Sequence, residues 1–395
     1  MGLVRTQVTI VGGGMVGAAL AVALAVKGKK VVVLERSDTV KTFPTEPSLR
    51  VSALNLAAQN WFAKLGVWEL VNLAQQGFYD RMEVWDDATG AKIQFAASAV
   101  DQEQLGCIVE NAVVEAALWQ RAQALGVQFE LGVEIEAIES HTDDVVVQTK
   151  AGTHYLSQLL IAADGGRSQV RSFMNVEMQF RDYEQLGVVA TLNTEYPHEG
   201  NARQVFLAGG PLALLPMADP HQVSIVWSLP TLEAQALLQK NVTEFAQAVT
   251  AASSSCLGVL TRAGEAAGFP LRMQYAEQWL KQRIVLVGDA AHTIHPLAGQ
   301  GANLGLGDAW YLAEQLNALG TLNGVWDAQA LQKNLRHYER ARKTAALKQV
   351  ATMEGFHRLF TAQHPVIQFV RAVGLSGTQR MEKVKAFFLS QANQF

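Results

Sequence analysis

Two glycine loops far apart in the sequence constrain the fold more than any other feature. The first follows the apolar run Val8 to Val11, where Gly12-Gly13-Gly14-Met15-Val16-Gly17 forms a G-x-G-x-x-G ahead of an alanine-rich segment with helical character from Ala18 to Val26. Gly28 stops it, Val31 to Leu34 has the β-branched content of a second buried strand, and Glu35 stands at its end, eighteen residues after Gly17. Together these predict a βαβ unit whose glycines let backbone approach a pyrophosphate at a helix N-terminus while the carboxylate holds a ribose diol. A G-x-G-x-x-G alone is weak evidence; with both strands, the helix and the acid around it, dinucleotide binding displaces an incidental Gly-rich turn. The second loop, Gly288 to Gly305, follows the apolar run Ile284 to Val287 and opens a helix through Asn303, Leu304 and Asp308. It holds Gly288, Gly299, Gly301 and Pro296 and a single carboxylate, Asp289, which suits backbone approaching a large polar ligand. One extended ligand with a pyrophosphate in its middle explains the pair of loops better than two ligands do.

The stretch between the loops argues against a nicotinamide dehydrogenase, which would continue at once with further βα units. Here a polar loop from Ser37 to Pro47 leads to Leu49 through Asn55, then to helical spacing of Leu56, Trp61, Leu65 and Leu70 broken at Gly66. Alternation from Tyr79 to Phe95 predicts strands, Val109-Glu110-Asn111 opens a helix through Ala122, and strands are predicted at Val127 to Leu131, Val133 to Ile138 and Val145 to Thr149. Leu159 to Ala163 is another buried strand, followed by Asp164-Gly165-Gly166. From Gln179 to Phe269 the pattern changes: Val205 to Leu207, Ala213 to Met217 and Val223 to Leu229 alternate as an antiparallel sheet does, interrupted by one helical stretch from Leu232 to Val249. Asp308 to Leu319 and Leu331 to Phe395 are predicted helical, the latter broken at Pro365 and Gly374. The expected division is a discontinuous nucleotide-binding domain of residues 1–75, 106–178 and 270–330, a substrate domain of 76–105 and 179–269, and C-terminal helices over 331–395.

A length of 395 residues suits two domains, and 49% hydrophobic against 17% charged residues excludes disorder. The net charge of −4 gives no sign of nucleic-acid binding. Charge is unevenly spread: from Leu331 onward eleven Lys and Arg face three Glu, a net of +8, so the preceding 330 residues carry −12. Cys107 and Cys256 lie far apart without C-x-x-C spacing, which predicts free thiols and neither disulfide nor zinc. With no leader ahead of the first strand and no apolar run near the roughly 20 residues of a membrane span, a cytoplasmic protein is expected.

The G-x-G-x-x-G with Glu35, the Ala163-Asp164-Gly165 motif and Gly288-Asp289, in that order over nearly the whole chain, resemble the FAD-dependent aromatic hydroxylases, the group A flavoprotein monooxygenases. Arg50-Val51-Ser52-Ala53, Val109-Glu110-Asn111, the late loop with His292 and His295, and Ala202 to Phe206 with His221 to Leu229 narrow the likeness to the ubiquinone-biosynthesis hydroxylases, especially those acting on a polyprenylphenol. The resemblance implies an α/β fold like that of para-hydroxybenzoate hydroxylase: an FAD-binding Rossmann-like βαβ domain, a second domain on an antiparallel sheet, and a C-terminal helical segment. It implies FAD as cofactor, NADH or NADPH as a transient co-substrate, and O2, with oxygen passing through a flavin hydroperoxide to the ring of a polyprenylated phenol.

The same resemblance assigns Gly12, Gly14, Met15, Val16 and Gly17 to the pyrophosphate, Glu35 and Arg36 to the adenosine ribose, and Val133 to cofactor contact. Arg50, Ser52 and Asn111 fall beside the flavin or its phosphates, and Asp164 and Gly165 in a loop shared with the nicotinamide cofactor; Gly288 and Asp289 meet the ribityl chain. Asn111 replaces the Arg or Gln of many aromatic hydroxylases and offers an uncharged amide. The amides of Gly299, Gln300, Gly301, Ala302 and Asn303 would face the pyrimidine end of the flavin, with Pro296 walling one face of the ring. His295 and Pro296 are the catalytic candidates; loop hydrogen bonding is the alternative for both histidines, and with no third ligand nearby no metal is expected. Tyr183 is either cavity lining or core.

Expected partners are the polyprenylphenol, other ubiquinone-biosynthesis proteins, an anionic membrane and a second copy of the chain, with nucleic acid excluded. Membrane contact would run through Arg336, Arg340, Arg342, Lys343 and Lys348 of the C-terminal helices, against the alternative of a solvated face packed on the acidic body. Two other functions compete. A flavin hydroxylase of a small aromatic acid would need an arginine pair in the antiparallel domain, where Arg203 stands out beside Arg181 and Arg262. A non-catalytic binding protein of the flavin fold is the second.

Overall fold

The computed structural model describes residues 2–293, 301–322, 324–361, 385–386 and 389. Its centre is a six-stranded sheet in the order Leu280–Lys281, Ile284–Leu286, Leu159–Ala162, Val8–Val11, Val31–Leu34, Gln128–Glu130, parallel except for the first edge strand. The register aligns Val11 with both Leu34 and Ala162, and Ala162 with Leu286. Glycine loop, acid, Asp164 loop and late loop therefore all leave the same edge of the sheet, at the carboxyl ends of its strands, where open α/β sheets bind ligands. These strands are buried on both faces, which is why their sequences run apolar without alternation.

The first helix, Met15–Ala25, is apolar all round because it is sandwiched between the sheet, helix Asn111–Ala124 and helix Gly301–Asn317. A four-stranded sheet of Gly2–Arg5, Thr153–Ser157, Val145–Thr149 and Ile135–Ser140 packs into the same core. Its first and second strands were not expected: both are short, and Gly2–Arg5 takes its strand partner from the distant Thr153–Ser157. Val51–Asn55, Gly106–Glu110 and Gly77–Tyr79 form a further antiparallel trio.

The eight-stranded sheet runs His292–Thr293, Leu260–Ala276, Met178–Thr194, Gln222–Pro230, Gly210–Pro216, Asn201–Leu207, Arg81–Asp86, Lys92–Ala96. One face carries Val188, Ala190, Leu192, Val205, Leu212, Leu214, Val223 and Ile225 into a second core. That core lies beneath two helices, Thr231–Leu238 and Val242–Ala252, where the sequence predicted one. The break comes from Asn241, which caps the second helix in a reciprocal pair with Glu244. Helix Ala328–Thr361 is the last long element, and the breaks predicted at Pro365 and Gly374 lie outside the described residues. Among the described residues no helix is long and apolar enough to cross a membrane.

Candidate functional site

The first turn is held by contacts that its glycines make necessary. Gly12 has φ +101°, and a Cβ there would lie 2.4 Å from the Ala163 carbonyl oxygen. At Gly17 a Cβ would lie 2.0 Å from the Gly12 carbonyl oxygen and 3.0 Å from the Ala163 methyl, so the helix can start this close to the strands only without one. Gly14 is different: the nearest atom to its Cβ position is 3.9 Å away, leaving bare backbone toward the cleft. Glu35 accepts from Gly13 N–H at 2.7 Å and Ser37 N–H at 2.9 Å. Val133 N–H donates to the Glu35 carbonyl at 3.0 Å, and Arg36 is exposed beside it. The Trp119 indole N–H donates to the Gly13 carbonyl at 2.6 Å while its ring stacks on Phe129, a support the motif does not announce.

The late loop meets the first turn at Val16. Cβ positions at Gly288 and Gly305 lie 3.2 and 2.9 Å from Val16 γ-carbons, so the two glycine loops share one packing contact. Behind it sits a buried ionic cluster that sequence reasoning missed. Asp308, fully buried, accepts from Gly288 N–H at 3.1 Å, His292 Nε2–H at 2.6 Å and Arg342 Nε–H at 2.8 Å. Burial alone would raise its pKa, but His292 and Arg342 outweigh that and hold the carboxyl below the usual range. Trp279 stacks on His292, and the Tyr338 hydroxyl donates to the Leu286 carbonyl at 2.9 Å. This corrects the placement of Arg342 among surface charges: at 3% exposed it points inward, as do the fully buried Leu335 and Tyr338.

The third loop ties the other two together. Arg171 donates to the Ala290 and Gly166 carbonyls, each at 2.8 Å. Asp164 Oδ2 accepts from Gln169 N–H at 2.7 Å and Val170 N–H at 3.1 Å, whereas its Oδ1 is buried without a partner. Burial pushes this carboxyl up, against the pull of Ser168 and the backbone N–H groups. Asp289 opens into the cleft yet is crowded by protein on its other sides; desolvation raises its pKa, moderated by His292 and Arg50. Ser52 donates to Asn111 Oδ1 at 2.6 Å, and Asn303 bridges Asn55 N–H at 3.1 Å and the Ala53 carbonyl at 2.7 Å.

These loops and the free face of the eight-stranded sheet enclose a cleft of about 550 Å³. Gly14, Met15 and Val16, Arg50, Ser52 and Asn111, Gly165, Asp289, and Gly301, Ala302 and Asn303 all line it. Gly12, Gly17, Glu35, Asp164 and Gly288 stand behind as supports, with Arg36 and Val133 around Glu35. His295, Pro296, Gly299 and Gln300 lie outside the described residues. Tyr183 is not part of the lining; its hydroxyl contacts Glu354. Of the three arginines that a small aromatic acid would call on, Arg203 lines the cleft and donates to the His198 and Asn201 carbonyls, whereas Arg181 pairs with Glu354 and Arg262 stacks on Phe245.

The residues present fit a flavin dinucleotide, with exposed backbone at Gly14, an unpaired buried Asp164 oxygen, and Asp289 in the cleft. The FAD binding domain family matches residues 5–352, most of the chain. The 3-demethoxyubiquinol 3-hydroxylase of Escherichia coli K12 is 32% identical over 389 residues, covering 98% of both chains. The ubiquinone hydroxylase UbiL of Rhodospirillum rubrum is 33% identical over 98% of this chain and 89% of its own. Among solved structures, p-nitrophenol 4-monooxygenase from Pseudomonas putida superposes with a TM-score of 0.77 at 19% identity, covering 100% of this chain and 99% of that one. The chain belongs to this FAD-binding family. Within it, the protein is an FAD-dependent monooxygenase.

Proposed function

We propose that the protein hydroxylates the aromatic ring of a prenylated phenol on the route to ubiquinone. The observation that carries this reading is the composition of the cleft: opposite the glycine loops its wall is mostly apolar, with Met82, Leu105, Ala202, Ala213, Leu215 and Val226 beside Arg203, Gln204 and Ser228. Such a wall suits a hydrocarbon-bearing ring and excludes water from it. The relatives named as ubiquinone hydroxylases support the same substrate class. The dispersal of Arg181, Arg203 and Arg262 weighs against a small aromatic acid.

In this reading Gly14 and the first helix's N-terminus hold the pyrophosphate, Glu35 the adenosine ribose and Asp289 the ribityl chain. FAD, when bound, supplies the redox and oxygen chemistry, with NAD(P)H and O2 as co-substrates. The protein's part is placement. Gly301 to Asn303, at the N-terminal end of their helix, put a positive dipole at the cleft, suited to negative charge on a reduced ring. Arg50, stacked over Phe269 at 5.7 Å, adds a full positive charge at the same opening.

The reading extends to location: the exposed cations of the last described helix would bring the protein to anionic membrane or to other proteins of the pathway. The deciding experiment is a lipid extract from a strain lacking the protein. A polyprenylphenol short of one ring hydroxyl should accumulate; unchanged quinone content would reject the assignment.

A further inference from the structure

The antiparallel sheet turns one face to its helices and the other to the cleft, and its register sets out the cleft face in rows. Val189, Val226, Ala213 and Gln204 form one such row across four strands. Three of them are short and apolar, as the wall requires. Gln204 is the polar member: it lines the cleft, is 6% exposed, and its side-chain amide has no hydrogen-bond partner among the described residues. Its main chain is already committed to pairing with Ala213 and Val84. Two similarly buried glutamines behave otherwise, Gln59 donating to the Leu54 carbonyl at 2.9 Å and Gln76 to the Val71 carbonyl at 2.7 Å. Those two serve the fold, whereas Gln204 gives the fold nothing that an apolar residue of the same length would not.

The amide keeps its access through the cleft and makes no bond within the described fold, so it is free to pair with a ligand held there. The amide offers an acceptor and two donors and no charge. It therefore suits a neutral ring oxygen, taking a phenolic hydroxyl at Oε1 or giving an N–H to an ether or carbonyl oxygen, and is a poor match for a carboxylate. We propose that Gln204 fixes the orientation of the substrate's ring by hydrogen bonding one of its oxygen substituents, and so selects which carbon is presented for hydroxylation. The proposal rests on the reading of the protein as a ring hydroxylase and names the residue that gives it positional specificity.

The test uses FAD-loaded protein and two probes, a short-chain prenylated phenol and the matching prenylbenzene without ring oxygen, with affinity read from perturbation of the flavin absorption band. Wild type should prefer the phenol. In Gln204→Met, phenol affinity should fall about tenfold while prenylbenzene affinity holds, so that discrimination collapses. The melting temperature of the ligand-free variant should stay close to that of wild type, since the amide makes no hydrogen bond within the described fold. The share of NAD(P)H oxidation that ends in hydroxylated product should fall as well. Equal loss of both probes would mark a merely structural residue, and an unchanged phenol preference with unchanged coupling would also overturn the proposal. If wild type neither binds nor hydroxylates the phenol, the ring-hydroxylase reading itself fails and takes this inference with it.

Discussion

Asp308 shows how one buried charge can organise the loop that leads into its own helix. A lone carboxylate in the interior is costly, and here three donors from two segments make it tolerable: Gly288 N–H and His292 from one, Arg342 from the other. Gly288 and His292 belong to the late loop, so the cluster sets the loop's entry before any ligand arrives. Asp308→Asn keeps the shape but leaves the Arg342 guanidinium, 3% exposed, without its counter-charge. Breaking such a pair costs about 3–5 kcal/mol, to be read as a lower denaturant midpoint. The pH dependence follows from the direction of the shift. Because folding depresses this carboxyl below its unfolded value of about 3.9, its contribution is complete above that value and is lost as pH falls through the folded one. The variant should therefore show a flatter acid limb of stability than wild type, measured by denaturant titration between about pH 5 and 3. A parallel limb would mean that other carboxylates govern acid unfolding.

At the scale of elements, the tightest requirement is where helix Met15–Ala25 starts against the strands. A methyl at Gly17 would stand 2.0 Å from a main-chain oxygen, and backbone cannot rotate aside as a side chain can. Gly17→Ala should thus cost at least the 1–3 kcal/mol typical of overpacking, about 1 kcal/mol of gained helix propensity notwithstanding. It should also displace the backbone at Gly14, so FAD retention through gel filtration is expected to drop together with the melting temperature. Retained flavin at wild-type stability would show that the close approach is dispensable. What was legible in the sequence follows from the same distinction between local and distant causes. The βαβ unit could be read because glycines, strand runs and Glu35 lie within one short stretch. Asp308, Arg342 and Gln204 could not, since their roles depend on partners, or on the lack of them, that only the register supplies. A single Asp within the otherwise uncharged, largely apolar stretch Leu304 to Ala313 was the available signal for Asp308. The chain's opening strand was missed because four residues with no alternating core face carry no pattern of their own.

Helix Ala328–Thr361, 34 residues and about 50 Å long, belongs to both sides of the molecule's charge asymmetry. Its inner face is structural: Leu331, Leu335 and Tyr338 are buried, Arg342 reaches Asp308, and Glu339 accepts from Trp279 N–H at 2.7 Å and Leu280 N–H at 3.2 Å. Its outer face leaves Arg336 and Arg340 exposed, one turn apart, around a shallow polar pocket bordered by Gln278, Gln282 and Gln332. Removing the chain from Leu331 onward would therefore dismantle the core and could not test membrane contact. The double substitution Arg336→Gln with Arg340→Gln removes exposed charge only. Each cation near an anionic surface contributes about 1 kcal/mol, so the pair should weaken attachment roughly 30-fold. The measurement is flotation with anionic vesicles at low ionic strength, beside neutral vesicles and a high-salt arm, where screening should release the wild type. Flotation that is equal for the two proteins, or equal on neutral vesicles, would leave these arginines to solvent and send the search for the membrane-facing surface elsewhere on the molecule.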